Sequence, residues 1–176
     1  GFGLATRYLK QGASVTVLDL CITDEQQAAL AEAAKTHNAG CLFLKTNITM
    51  PEGVKQSVSA AAEQYGAPDL AINSSGIVIN KAFEDTTPEA FKHIVDVNLN
   101  GSFNFASAVL PLMKPGSQIA LISSVAGLVS NYGYAGYGAS KFGVVGLATT
   151  LRYEYQHRGI KVSCVCPPEV KTPMVA

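Results

Sequence analysis

The protein has 176 residues, 48% of them hydrophobic and 15% charged, and its 13 basic and 13 acidic side chains cancel to a formal net charge of zero. An ordinary soluble domain is about a quarter charged, so this composition excludes a disordered chain and a nucleic-acid binder that works by basic excess. The length suits one domain with a large core, or with faces buried in an oligomer.

Two hydrophobic periods alternate along the chain. Gly1-Phe2-Gly3 runs straight into a helical pattern, Leu4 to Lys10, ended by Gly12. Glycines at such a helix start let the backbone approach a phosphate, and the free N–H groups there attract an anion. Ser14 to Leu20 is a short β-branched strand, and Asp19 near its end stands where a carboxylate can accept hydrogen bonds from ribose hydroxyls. Thr23 to Lys35 predicts an Ala-rich helix with Thr23 or Asp24 as N-cap. Cys41 to Lys45 is a second strand, and Pro51 to Tyr65 a helix opened by proline at a tolerated position.

Asp69 to Asn73 is a third strand, followed by Asn73-Ser74-Ser75-Gly76. A helix from Thr87 to about Met113 leads to a fourth strand, Gln118 to Ser124. A long helix, Ala135 to His157, and a fifth strand, Ile160 to Cys166, complete the series. Near-continuous apolar strands separated by helices predict an α/β fold, a doubly wound parallel sheet in which residues 1–176 form a single domain. No stretch has the roughly 20 apolar residues of a membrane span. The four cysteines are expected to be buried, reduced thiols, which points to a cytoplasmic compartment; organelle targeting stays open without an initiator Met. Cys164 and Cys166 point the same way from one strand, but no further ligand completes a metal site.

Polar residues cluster where such a sheet places its ligand, at the carboxyl ends of strands. Asn73 to Gly76 follows the third strand, Ser123-Ser124 the fourth, and Tyr137 and Lys141 share one face of the next helix. An ammonium beside a phenol favours the phenolate, which makes a tyrosine usable as an acid/base at a carbonyl. The same pair could equally be an ordinary helix surface pair.

These motifs, in this order, resemble the short-chain dehydrogenase/reductase family. The resemblance rests on Gly1-Phe2-Gly3, Asn73-Ser74-Ser75-Gly76, Asn98-Leu99-Asn100-Gly101, Ile122-Ser123-Ser124, Tyr137-Gly138-Ala139-Ser140-Lys141 and Pro167-Pro168-Glu169-Val170-Lys171-Thr172. It implies a Rossmann fold, with a first strand and glycine turn lying before Gly1 and a substrate lid and last strand after Ala176. It implies NAD, favoured by Asp19, or NADP as cofactor, and an apolar alcohol or ketone as substrate. Tyr137 would be the acid/base, Lys141 its electrostatic partner and ribose holder, Ser124 the donor to the substrate oxygen, and Asn98 the holder of a relay water. Gly1, Gly3, Asp19, Asn47, Ile48, Asn73, Ser75, Gly76, Pro167, Val170 and Thr172 would contact the cofactor, with Tyr137 and Lys141.

Asn47 stands where the family often has Asp, and Pro168 where it has Gly. The Pro-Pro pair resembles 3-ketodihydrosphingosine reductases, an alternative that Asp19 opposes because those enzymes use NADP. Two further alternatives are a catalytically silent dinucleotide-binding regulator and a sugar-nucleotide epimerase or dehydratase. Leu128, Tyr132 and Tyr134 are expected to line the substrate pocket. Phe103, Phe105, Val109, Phe142, Val145 and Thr149 are expected to drive a homodimer or homotetramer. Neither metal nor nucleic acid is expected.

Overall fold

A computed structural model describes residues 1–129 and 131–170 and divides the chain into two compact units, Gly1–Gly66 and Ala67–Ala176. In the first unit, helix α1 (Phe2–Leu9) leads to strand β1 (Val15–Asp19), helix α2 (Asp24–Thr36), strand β2 (Cys41–Lys45) and helix α3 (Pro51–Tyr65). The Thr23 hydroxyl accepts from the Gln26 N–H while the Gln26 side chain accepts from the Thr23 N–H, a reciprocal cap at the start of α2. Strands β1 and β2 pair in parallel from Val15 opposite Cys41 to Asp19 opposite Lys45. Leu9 and Leu30, both fully buried, lock α1 to α2 with Val15, Val17 and Phe43 packed against them. Each such leucine contributes roughly 1.5–3 kcal/mol by leaving water.

The second unit holds strands β3 (Leu70–Asn73), β4 (Gln118–Ile122) and β5 (Lys161–Val165) in a parallel ladder of that order. Parallel neighbours need long crossovers, and helices supply them. The β3–β4 crossover differs from the single helix expected over Thr87–Met113. It is α4 (Pro88–Val95), a five-residue π segment (Asp96–Asn100), α5 (Gly101–Val109) and a 3-10 turn (Leu110–Leu112). The widened turn brings the Asn98 side chain fully inside, and Asp96 at its start is held by Lys92 and Asn100. Pro111, which lacks an N–H, lies in the 3-10 turn that follows α5. Helix α6 (Ala135–Gln156) joins β4 to β5.

The α/β alternation and parallel pairing agree with the expectation from sequence. Ser123 and Ser124 lie just past β4, at its carboxyl end. Two packing expectations are corrected. Cys21 is exposed and the other three cysteines are half-buried rather than fully buried. Val109, expected on an outer face, is in the core, whereas Phe103 and Phe142 do stand exposed. No described helix is long and apolar enough to cross a membrane.

Candidate active site

In the second unit the chain leaves β4 through Ser123 and Ser124 into a 3-10 turn, Val125–Gly127. The Ser124 hydroxyl accepts from the Ala126 N–H at 3.1 Å, which fixes its oxygen and leaves its own proton free to donate. Ser123 is buried and donates to the Lys141 carbonyl at 2.9 Å, fastening this turn to α6. Gly127 makes the fastening possible. A Cβ there would sit 2.6 Å from Ser123 Oγ and 2.7 Å from the Lys141 carbonyl oxygen. Gly127→Ala is therefore expected to destabilise the fold by roughly 1–3 kcal/mol, the usual scale of overpacking. Urea unfolding checks this, and an unchanged midpoint would contradict the packing described.

Tyr137 and Lys141 lie one turn apart on α6, with Lys141 Nζ 5.7 Å from the centre of the Tyr137 ring. The ring of Tyr134 meets that of Tyr137 edge-on at 5.4 Å. The surface-pair reading of these two residues fails, because Lys141 is only 5% exposed. Its Nζ donates to the Ile122 carbonyl at 3.0 Å, and among the described residues no carboxylate pairs with it. Burial pushes its pKa down to about 8, opposed by the nearby thiols of Cys164 and Cys166. An ammonium has three hydrogens to donate. One goes to Ile122, and the others suit the hydroxyls of a ribose.

Asn98 organises the floor of this site. Its Oδ1 accepts from the Ile77 N–H at 2.8 Å, and its Nδ2 donates to the Ile77 carbonyl and to Ser140 Oγ, both at 3.0 Å. Ser140 in turn donates to the Tyr137 carbonyl at 2.7 Å. The Asn98 side chain thus ties the loop after β3 to the helix turn carrying Tyr137. A Cβ on Gly76 would come within 3.3 Å of both Asn98 Oδ1 and Lys141 Nζ, so this loop passes close to the charged head. Asn73 is also turned inward, donating to Ser102 Oγ at 2.9 Å and accepting from the Ser75 N–H at 3.1 Å, which shapes the turn through Gly76.

The chain belongs to the short-chain dehydrogenase family. The family's model matches residues 1–176. The chain is 39% identical to the 3-dehydrosphinganine reductase TSC10B of Arabidopsis thaliana over 98% of its own length and 52% of that relative, so it spans about half of that protein. It is 34% identical to the cyclohexanol dehydrogenase of an Acinetobacter strain, over 100% of this chain and 71% of the relative. In shape it is similar to the carveol dehydrogenase of Mycobacterium avium solved in complex with NAD, with a TM-score of 0.93 and 26% identity over 99% of this chain and 68% of the other. The family's Rossmann fold agrees with the α/β architecture and the parallel ladders.

Of the expected site residues, Asn98, Ser124, Tyr137 and Lys141 lie in the second unit: Lys141 beside the Tyr137 ring, Asn98 tied to the Tyr137 turn through Ser140, and Ser124 on the turn that Ser123 fastens to α6. The other expected site residues divide between the units. Gly1 caps α1 and Gly3 lies in its first turn, with nothing within 4 Å of where a Cβ would be. Asp19 is exposed at the end of β1, one carboxylate oxygen accepting from the Cys21 N–H at 3.0 Å. Asn47 Oδ1 accepts from both the N–H and the hydroxyl of Thr49, which leaves its amide hydrogens to donate outward. Ile48 is half-buried beside it. Pro167 accepts from the Val125 N–H at 3.0 Å, Val170 is exposed, and Thr172 lies outside the described residues.

A surface depression of about 280 Å³ is lined by Asn131, Tyr134, Ala135, Gly138, Ala139 and Phe142, on the face of α6 next to that of Tyr137. Tyr134 lines this depression, whereas Tyr132 and Leu128 are exposed, Tyr132 to 88%. The sequence assigned no role to Ser123 and Ser140, which stand inside the motifs, and did not mark Gly127 at all. Their small size beside the motif residues was the only signal, because their partners are distant in sequence.

Proposed function

We propose that the protein carrying this chain is an oxidoreductase that moves a hydride between a nicotinamide dinucleotide and an alcohol or ketone. The observation that supports this best is Lys141, buried without a carboxylate yet aligned one helical turn from a tyrosine. Removing a charge from water costs several kcal/mol unless other groups compensate. A ribose diol offers the acceptors this ammonium lacks, so the residues present fit such a cofactor. Lys141 would hold that diol, with Gly76, Pro167, Val170 and Thr172 beside the nicotinamide half. Gly1 and Gly3 would face the pyrophosphate, Asp19 the adenosine ribose, and Asn47 and Ile48 the adenine, while Asn73 and Ser75 shape the intervening turn.

The cofactor supplies the hydride chemistry. The chain orients and polarises. Ser124 donates its proton to the substrate oxygen and stabilises the charge that develops there. Tyr137 gives a proton to that oxygen, or takes one from it, according to the direction of reaction. Lys141, still cationic at neutral pH, stabilises the tyrosinate that results. Asn98 holds the Tyr137 turn and the loop after β3 in register; a relay water on it completes this reading. Residues 1–176 belong in it to one dinucleotide-binding domain.

Asp19 supports NAD(H) over NADP(H), because a carboxylate repels a 2′-phosphate placed beside it. Absorbance assays of the protein with cyclic alcohols and with 3-dehydrosphinganine test both points. Turnover with NAD(H) exceeding that with NADP(H) is the expected result. Better turnover with NADPH on 3-dehydrosphinganine would favour a second reading, a reductase of that ketone. The Arabidopsis relative and the Pro167-Pro168 pair support that second reading.

The exposed Phe103 on α5 and Phe142 on α6 support a homodimer or homotetramer. Large exposed aromatics grouped on helices are a common mark of association. Light scattering at micromolar concentration should therefore give at least twice the monomer mass, and a monomer would count against this surface.

A further inference from the structure

Cys164 and Cys166 take no part in the chemistry above. They lie at the end of β5 and just beyond it, both half-buried, with their sulfurs 3.9 Å apart. The β4–β5 register sets Ile122 opposite Val165, the residue between them. The Ile122 carbonyl is also the acceptor of the Lys141 ammonium at 3.0 Å. The pair therefore flanks the backbone position that anchors Lys141. We propose that Cys164 and Cys166 form a vicinal dithiol site for a trivalent arsenical, or an electrophile of that class that bridges two thiols, and that its occupation disables Lys141.

The geometry favours a bridging atom over a direct disulfide. A disulfide needs the sulfurs at about 2.05 Å and prefers Cα atoms about 5.5–6 Å apart. Residues two apart in a strand are separated by about 6.6 Å, so direct closure would bend the end of β5. One arsenic bonded to both sulfurs spans the existing gap with little movement. Among the described residues no third His, Cys, Asp or Glu gathers with them, which disfavours a cation needing three or four ligands. A neutral organoarsenical needs only two thiols. With phenylarsine oxide, two As–S bonds form and the As–O bond breaks. The two thiol protons leave with that oxygen as water, and no atom changes oxidation state.

Burial and the neighbouring Cys166 push the Cys164 thiol up to about 11, while Lys141 and Arg152 pull it down. Cys164 is thus held as a thiol, the form this condensation consumes. The coupling to Lys141 rests on the cofactor role given above; the binding of arsenic does not. Cys21 and Cys41 are single thiols, and single thiols release arsenicals to an excess of monothiol.

The test uses the purified protein with phenylarsine oxide, intact-mass spectrometry, and circular dichroism to confirm that the helices persist. The expected result is one phenylarsenic adduct per chain, retained in excess mercaptoethanol and released by dimercaptopropanol. It should persist in a Cys21→Ser/Cys41→Ser variant and disappear in both Cys164→Ser and Cys166→Ser. An adduct that mercaptoethanol removes, or one that survives Cys164→Ser, would overturn the site. NADH titration of the labelled protein should then show affinity reduced about tenfold or more. Unchanged affinity in the labelled protein would overturn the coupling to Lys141. A protein that takes the adduct but binds no dinucleotide even before labelling would instead count against the oxidoreductase reading and leave the dithiol site standing.

Discussion

Tyr137→Phe is expected to lower turnover by roughly two to four powers of ten, the usual scale for losing a general acid/base, with dinucleotide affinity close to that of the parent. The substitution removes one oxygen and nothing else. Among the described residues the Tyr137 hydroxyl has no hydrogen-bond partner, so its loss strands no buried group. The ring keeps its edge-on contact with Tyr134, and the backbone turn keeps its bond from Ser140. Lys141 keeps its anchor on Ile122 and stays free to hold a ribose. Thermal unfolding should accordingly match the parent. Kinetics beside a NADH binding titration separate the two effects. Near-normal turnover with intact binding would show that the phenol is not the acid/base, and a dinucleotide-binding regulator would then be the better account.

The motif residues were legible in the sequence because local spacing fixes their faces. Pro51 opens α3 and Gly66 follows it, so its bounds agree with the expected Pro51–Tyr65. Strand β2 agrees for the same reason, being a short apolar run between turns. The interior of the Thr87–Met113 segment was not legible. Nothing local marks residues 96–100 as a π turn, because the partners that hold Asn98 inward lie 21 and 42 residues away, at Ile77 and Ser140. Tyr137 and Lys141 show the same limit. A spacing of four puts them on one helix face whether that face meets water or protein. The 5% exposure of Lys141 follows instead from what packs against α6: Ser123 and Gly127 on the turn after β4. Polar contacts between distant segments decide chemistry here, and periodicity carries no record of them.

Lys141→Met should impair the protein more than Tyr137→Phe does, because it removes two contributions at once. The tyrosinate loses its neighbouring cation, and the ribose loses its donor. Turnover should fall at least as far as in Tyr137→Phe, by roughly two to four powers of ten or more, and unlike that variant it should also bind the dinucleotide measurably more weakly. Acidity separates this from a packing defect. The lysine titrates near 8 in the folded protein against 10.5 for the ordinary side chain. Above about 8 the folded protein has released a proton that the unfolded chain retains until about 10.5. Across that window this group makes stability rise with pH, since the unfolded state then binds more protons. Over the same range the cation that holds the ribose is lost, so dinucleotide affinity of the parent should fall as pH rises through 8. In Lys141→Met both dependences should flatten: the variant gains less stability between pH 8 and 10.5, and its weaker affinity no longer changes across pH 8. Denaturant unfolding and NADH titration at pH 7 and pH 9 measure the two slopes. A variant whose affinity still falls through pH 8 as the parent's does would assign that titration to another group and remove Lys141 from the cofactor site.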